Sequence, residues 1–275
     1  MQLNVKPYQF NNLMLVLWII ILGFFILSLL FFVLTLIKKT KRIRKDKIKK
    51  QYKEKINHLL FPFMFESQDI KTTIKQFDKH YSRKGNLFAR RTIKSLIELH
   101  RIYKGVYQKK IEHFFVESRL SEHSKKLLQS RNWIYKVESI RNLSELAYSE
   151  SFQEIKAQLL SKNEMVQEEA ILGMIRLRGL DVLLEIKDIN LLLSDWFQAH
   201  IIHIIKINNF KQPNNFSTLL ESKNPTIQLL VARIAQHFQK TEIIEELNCI
   251  VSKSANLKIK SQISVIVENL KSIKI

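Results

Sequence analysis

One cysteine, Cys249, is all that 275 residues contain. An internal disulfide and any zinc cluster built on cysteines are thereby excluded. Glycine (five) and proline (four) are nearly as scarce, which leaves too few turns of the kind all-β folds require. There is no Gly-rich phosphate loop, no H-E-x-x-H, no G-x-S-x-G and no CxxC. No catalytic residue, cofactor or metal is therefore expected, and the chain reads as a non-enzyme. Acidic side chains are the other shortage, 25 against 45 Lys and Arg, for a net charge of +20. Ile, Leu, Lys, Glu and Gln dominate, a composition that favours helices, and 46% apolar residues suffice for a core.

The charge is unevenly placed. Residues 38–55 hold eleven Lys and Arg against Asp46 and Glu54, a net +9, leaving +11 for the rest. Directly before them, Leu13 to Ile37 runs 25 residues without a charge. As a helix that run is about 37 Å long, enough to cross a hydrocarbon core of about 30 Å. It is too long for a signal-peptide core, it ends in no small-x-small site, and its positive charge follows rather than precedes it. Residues 1–12 carry only Lys6. The positive-inside rule then puts the N-terminus outside and everything after Lys38 in the cytoplasm, with Tyr8 and Trp18 near the outer interface. Lys38, Lys39, Lys41, Arg42, Arg44 and Lys45 are candidate contacts for anionic headgroups, or else a topology signal only.

The remainder is divided into a basic juxtamembrane segment (38–65), a helical region (66–130) and a repeat region (131–275). Ile56–Phe65, interrupted by Pro62, is too short to span and is expected to pack beneath the first soluble helices. Ser67 offers an N-cap for the pattern Ile70, Ile74, Phe77, and Ser82–Asn86 reads as a turn. From Asn86, residues Ala89, Arg90, Ile93 and Ile97 follow a spacing that becomes regular further on.

That spacing recurs five times. A small polar residue at Asn132, Asn163, Ser194, Asn224 and Asn256 opens each phrase, at intervals of 31, 31, 30 and 32. Three residues on stand Tyr135, Val166, Phe197, Ile227 and Ile259, followed at the next position by Lys136, Gln167, Gln198, Gln228 and Lys260. At +7 come Ser139, Ala170, Ile201, Val231 and Ile263, and at +11 Leu143, Met174, Ile205, Ala235 and Val267. Offsets of 3, 7 and 11 trace one helix face, and the opening residue sits where an N-cap is needed. A shorter helix, ending in a pair such as Leu127-Leu128, Leu159-Leu160, Leu192-Leu193, Leu219-Leu220 or Ile250-Val251, is expected before each phrase. A helical unit recurring about every 31 residues is the signature of a stacked solenoid.

Asn224-Pro225-Thr226-Ile227-Gln228 and Asn163-Glu164-Met165-Val166-Gln167 resemble the turn and second-helix start of HEAT-type (armadillo-like) repeats, over residues 120–275. The resemblance implies an all-α fold: a single N-terminal transmembrane helix followed by a right-handed α-solenoid of HEAT-like helix pairs. Lys or Gln stands where that family has Arg, and no Asp opens a phrase, so an Asn/Gln ladder is expected in place of an Asp–Arg one. Solenoids work through the surface of one helix row. Arg141, Arg176, Arg178, Lys206 and Arg233 are the candidate partner-binding residues. His200 and His203 read as groove histidines rather than metal ligands, and Cys249 as a small core residue. The function expected is a membrane-anchored scaffold in a bacterial inner membrane. It would bind membrane-associated protein partners and lipids, as an accessory subunit of an envelope, polysaccharide-synthesis or signalling complex. A basic concave face holding nucleic acid is the alternative, disfavoured by the anchor and by the lack of aromatics among the basic positions. No small-molecule ligand is expected.

Overall fold

The structure, a computed structural model, describes residues 7–66 and 68–273, with the backbone alone at 7–13, 83 and 84. Lys6, Ser67 and the side chain of Tyr8 lie outside that description. Among the described residues every regular element is a helix. The chain divides into two compact units, residues 1–61 and 62–275.

The first unit is one helix. α1 (Pro7–Phe65) runs uninterrupted from the apolar stretch into the basic one, so no break separates residues 13–37 from 38–65. Every side chain from Met14 to Ile37 is exposed, and the helix is long and apolar enough to cross a membrane. Two of its hydroxyls are satisfied within the helix: Thr35 Oγ1 donates to the Phe31 carbonyl and Thr40 Oγ1 to that of Leu36, each at 2.8 Å. Further on, Lys49 pairs with Asp46 at 2.7 Å. Pro62 lacks an N–H to continue the helical ladder, and the two units part there.

In the second unit Phe63 and Met64 are buried, and Phe63 packs on Phe114 with ring centroids 5.8 Å apart. α2 (Ile70–Ile102) is capped by Asp69, whose carboxylate accepts from the Lys71 amide, and it is broken at Gly85. Gly85 has φ 61°, which glycine adopts without the Cβ penalty, and this is the expected 82–86 turn. Beyond the break Ala89, Ile93 and Ile97 are buried, at the spacing the later phrases share. α3 (Val106–Glu117) packs on α2, and α4 (Leu120–Leu128) follows it.

The five phrase helices are α5 (Trp133–Glu145), α7 (Glu164–Arg178), α8 (Asp195–Asn208), α10 (Pro225–His237) and α12 (Leu257–Ile273). All five opening residues are N-caps. Asn132, Asn163, Ser194, Asn224 and Asn256 accept, through side-chain oxygens, from the amides of Ile134, Val166, Phe197, Thr226 and Lys258. The +7 and +11 positions are buried in every unit, and +3 in all but the first, where Tyr135 is exposed. Each phrase helix touches the next one along, with α2 before α5, so the order of contact follows the chain: α2, α5, α7, α8, α10, α12.

The first helices are less regular than the sequence suggests. α4 precedes α5 and α9 (Phe216–Leu220) precedes α10, while α11 (Ile244–Lys253) precedes α12. Before α7 there is a single turn, α6 (Phe152–Lys156), continued by a 3₁₀ segment at Ala157–Leu160. Before α8 there is only a 3₁₀ helix at Leu180–Ile186, entered through Gly179 at φ 75°. Leu192-Leu193 therefore ends no helix; it lies in the non-helical stretch before Ser194. The last helix is less exposed than its apolar count implies, because Ile263, Ile266, Val267 and Leu270 are all buried and Val265 alone of these five faces out. Cys249 is exposed on α11, where the adjacent core position is filled by Leu247 instead.

Candidate partner-binding face

The +4 residues do not form a ladder between units. Gln167 Nε2 donates to the Leu159 carbonyl at 2.9 Å, Gln198 Nε2 to that of Leu193 at 3.0 Å, and Gln228 Nε2 to those of Leu220 and Ser222 at 3.2 and 2.9 Å. Each glutamine thus ties its helix to the chain just before it, capping carbonyls that the preceding segment leaves free. Lys136 differs: its Nζ donates to Gln158 Oε1 at 3.0 Å, in the segment that leads into the next unit. Asn224 also reaches back toward the preceding unit, its Nδ2 donating to the carbonyls of Ile189 and Leu191 at 2.9 and 2.8 Å.

Ion pairs join the phrase helices instead. Arg90 on α2 forks onto Glu138 of α5 and lies 5.4 Å from the Tyr135 ring centroid. Arg101 on α2 forks onto Glu145 of α5, at 2.7 and 3.1 Å. Arg141 of α5 contacts Glu169 of α7 through Nε at 3.3 Å and Nη2 at 2.5 Å. Arg176 of α7 lies 3.4 Å from Glu145 and 3.0 Å from Glu169. Burial pushes the Glu145 carboxyl up, but Arg101, Arg176 and Arg141 outweigh it and hold the group below its ordinary value.

A second cluster joins α8, α10 and α12. Asp195 accepts from Arg233 at 2.8 Å, from Lys258 at 2.7 Å and from Gln262 at 3.4 Å. Arg233 Nη1 also donates to Gln198 Oε1 at 2.9 Å. Hydrogen bonds from Lys258 and Arg233 hold the Asp195 carboxyl at a pKa of about 2. Between the two clusters stands His200, whose pKa is lowered by burial first and by Arg176 second.

The four arginines and one lysine read from the sequence thus differ in role. Arg141 and Arg176 share Glu169, and Arg176 is nearly buried, so it is a strut between helices rather than an offered cation. Arg233 is likewise engaged. Arg178 leaves the row altogether and stacks on Phe152 of α6, 3.5 Å from the ring centroid. Lys206 is exposed and lines a cavity of about 600 Å³ with His203, Arg233 and His237. Arg91 and Lys94, absent from that set, line a second cavity of about 490 Å³ beside Arg90, Arg101 and Arg141. Neither makes an ion pair among the described residues. The acidic partners were missed as well, and a signal for them exists. Glu138 and Glu169 both stand at +6, Arg141 and Arg233 at +9, Glu145 and Arg176 at +13. Offsets 6, 9 and 13 trace a second helical stripe beside the apolar one.

No three His, Cys, Asp or Glu side chains converge as a metal site among the described residues. The arrangement is a row of helices held by paired charges, with unpaired cations at two hollows along it.

No family model matches the chain, and no curated protein matches it. A comparison with solved structures finds an engineered protein known from a crystal structure, with 17% identity, 79% of this chain and 97% of that chain covered, and a TM-score of 0.32. A likeness that slight carries no argument about fold or function.

Proposed function

We propose that this protein is a single-pass membrane protein that presents a helical-repeat scaffold to membrane-associated protein partners. In this reading α1 spans a bacterial inner membrane with its N-terminus outside. The capped phrase helices stack as a right-handed solenoid of HEAT-like pairs in the cytoplasm, and the scaffold serves an envelope, polysaccharide-synthesis or signalling complex. The observation that carries it is the continuous row α2, α5, α7, α8, α10, α12, braced across its polar stripe by ion pairs. Such a row is a rigid, extended and chemically quiet surface, which suits recognition by many small contacts. The basic run after Ile37 supports the orientation. Nucleic-acid binding draws less support than the net charge suggests, because carboxylates already occupy Arg90, Arg101, Arg141, Arg176 and Arg233.

Photocrosslinking residues placed at Lys94 and at Lys206 in the full chain test the face in native membranes. A discrete adduct from either position, absent when the probe replaces Glu154 on α6, is the expected result. No adduct at Lys94 or Lys206 counts against the scaffold. Release of the protein from membranes by alkaline carbonate counts against the anchor.

A further inference from the structure

Turns facing water are ordinarily polar, because their backbone must be solvated and their side chains have no core to enter. Here the turns that lead into the phrase helices carry large apolar side chains left in solvent. Leu160 is 89% exposed, Leu257 81%, Leu192 74% and Trp196 72%, with Trp133 and Ile134 also exposed. These are not scattered. They fall within three residues of the capping position in four of the five units, where the polar stripe and the apolar core do not reach.

Contacts join these turns in two groups, Trp133 with Leu160, and Leu192 with Trp196 and Leu257, and the second group forms an edge of the second unit. Lys136 of α5 reaches Gln158, two residues before Leu160. The Leu193 amide, next to Leu192, donates to Thr226 Oγ1 in the first turn of α10 at 2.9 Å. Lys258, next to Leu257, reaches Asp195, next to Trp196. The capping turns bear exposed cations, Arg131, Lys162, Lys223 and Lys253, with the Asp195 carboxylate beside Trp196.

We infer that this edge is a bilayer-docking surface, which inserts tryptophan and leucine side chains at the headgroup level of the membrane that α1 crosses. The inference rests on the reading of α1 as a spanning helix. Amphipathic tryptophan beside leucine, interleaved with lysine and arginine, is the chemistry that suits the interface between headgroups and acyl chains. A large exposed apolar surface on a soluble unit calls for an occupant. A tethered unit meets the bilayer at a high effective concentration, so weak insertion by each turn suffices. The tether, the mainly exposed residues 38–55, is about 27 Å long as a helix.

The test uses the full chain in vesicles, zwitterionic and mixed with anionic lipid. Trp18→Phe with Trp133→Phe leaves Trp196 as the single tryptophan of three. An interfacial face sits about 5–10 Å into the headgroup boundary, so lipids brominated near the top of the acyl chain roughly halve Trp196 emission if the edge docks. The effect strengthens with anionic lipid and weakens in Leu192→Glu. Emission at a water-like wavelength without quenching overturns the proposal. Blue-shifted emission without quenching overturns it too, and assigns the edge to a second copy or a protein partner. The companion variant Trp133→Phe with Trp196→Phe reports on Trp18 alone. Quenched Trp18 with unquenched Trp196 leaves the anchor standing and removes the docking edge, whereas unquenched Trp18 removes the anchor.

Discussion

Replacing Glu169 by Ala is the substitution that most directly probes how the helix row is held. The Glu169 side chain is 5% exposed and joins Arg141 of α5 to Arg176 of its own helix. Removing one partner of a buried pair ordinarily costs about 3–5 kcal/mol, because the other charge is left in a poor solvent. Arg176 is the costly orphan, at 10% side-chain exposure. It keeps Glu145 at 3.4 Å and Ser144 Oγ at 3.4 Å, which places the loss at the lower end, about 3 kcal/mol. Arg141 is half exposed and adds less than about 1 kcal/mol, since water screens what it loses.

For a unit of this size about 3 kcal/mol lowers the melting temperature by roughly 6–12 °C. Far-UV ellipticity of the full chain in mild detergent reads it, because α1 stays helical in the micelle while the second unit melts. The paired substitution Glu169→Leu with Arg176→Met leaves no buried charge unpaired, since Glu145 keeps Arg101, and recovers most of the loss. A shift below about 2 °C for Glu169→Ala would refute the claim that the ion pairs brace the row. So would a double variant no more stable than the single one.

Three further outcomes are expected. Asn224→Ala removes a cap and also orphans the buried carbonyl of Leu191 and the half-buried one of Ile189, so it costs about 2–3 kcal/mol, while Asn132→Ala at an exposed cap costs about 1; urea midpoints of the two variants compare them directly. Gly173→Ala places a Cβ 2.8 Å from Ile140 Cγ2 and 3.3 Å from Ile155 Cγ2. The helix propensity gained, about 1 kcal/mol, is outweighed by crowding against stiff branched side chains, and the melting temperature falls rather than rises. Asp195 has its folded pKa depressed from 3.8 to about 2, so its stabilisation is present above about pH 4 and is lost as pH falls towards 2. The group is 41% exposed and screened, so the loss stays near or below about 1 kcal/mol. Asp195→Asn flattens the stability curve in that window, measured by thermal melts at stepped pH.

The second helices were legible because two independent signals coincide on them. A side chain that can cap sits at each start, and an apolar stripe at period 3.6 follows it, so Asn163 and Val166 constrain each other. The first helices offered only paired leucines, and a pair has no period. Leu159-Leu160 and Leu192-Leu193 look alike in sequence. Yet Leu160 and Leu192 are exposed while Leu193 is buried, because a 3₁₀ turn and a non-helical stretch rotate neighbours onto different faces. Cys249 misled for a related reason: a small apolar residue near Leu247 can sit on either side of α11, and the core took Leu247. In the candidate face the arginines stood out by charge alone, and charge does not say what already neutralises it.

That neutralisation decides what each residue can do. Arg176 and Arg141 point at carboxylates on neighbouring helices, so their free energy goes into spacing the row, and a partner would have to displace Glu169 to use them. Arg91, Lys94 and Lys206 sit at hollows beside those struts, with no ion pair of their own among the described residues. An acidic segment laid along the row would therefore contact the unpaired cations while the paired ones keep the hollows open. Under the proposed scaffold function, bracing falls to the paired charges of the polar stripe and recognition to the unpaired cations beside it. The residues most conspicuous in the sequence belong mainly to the first task.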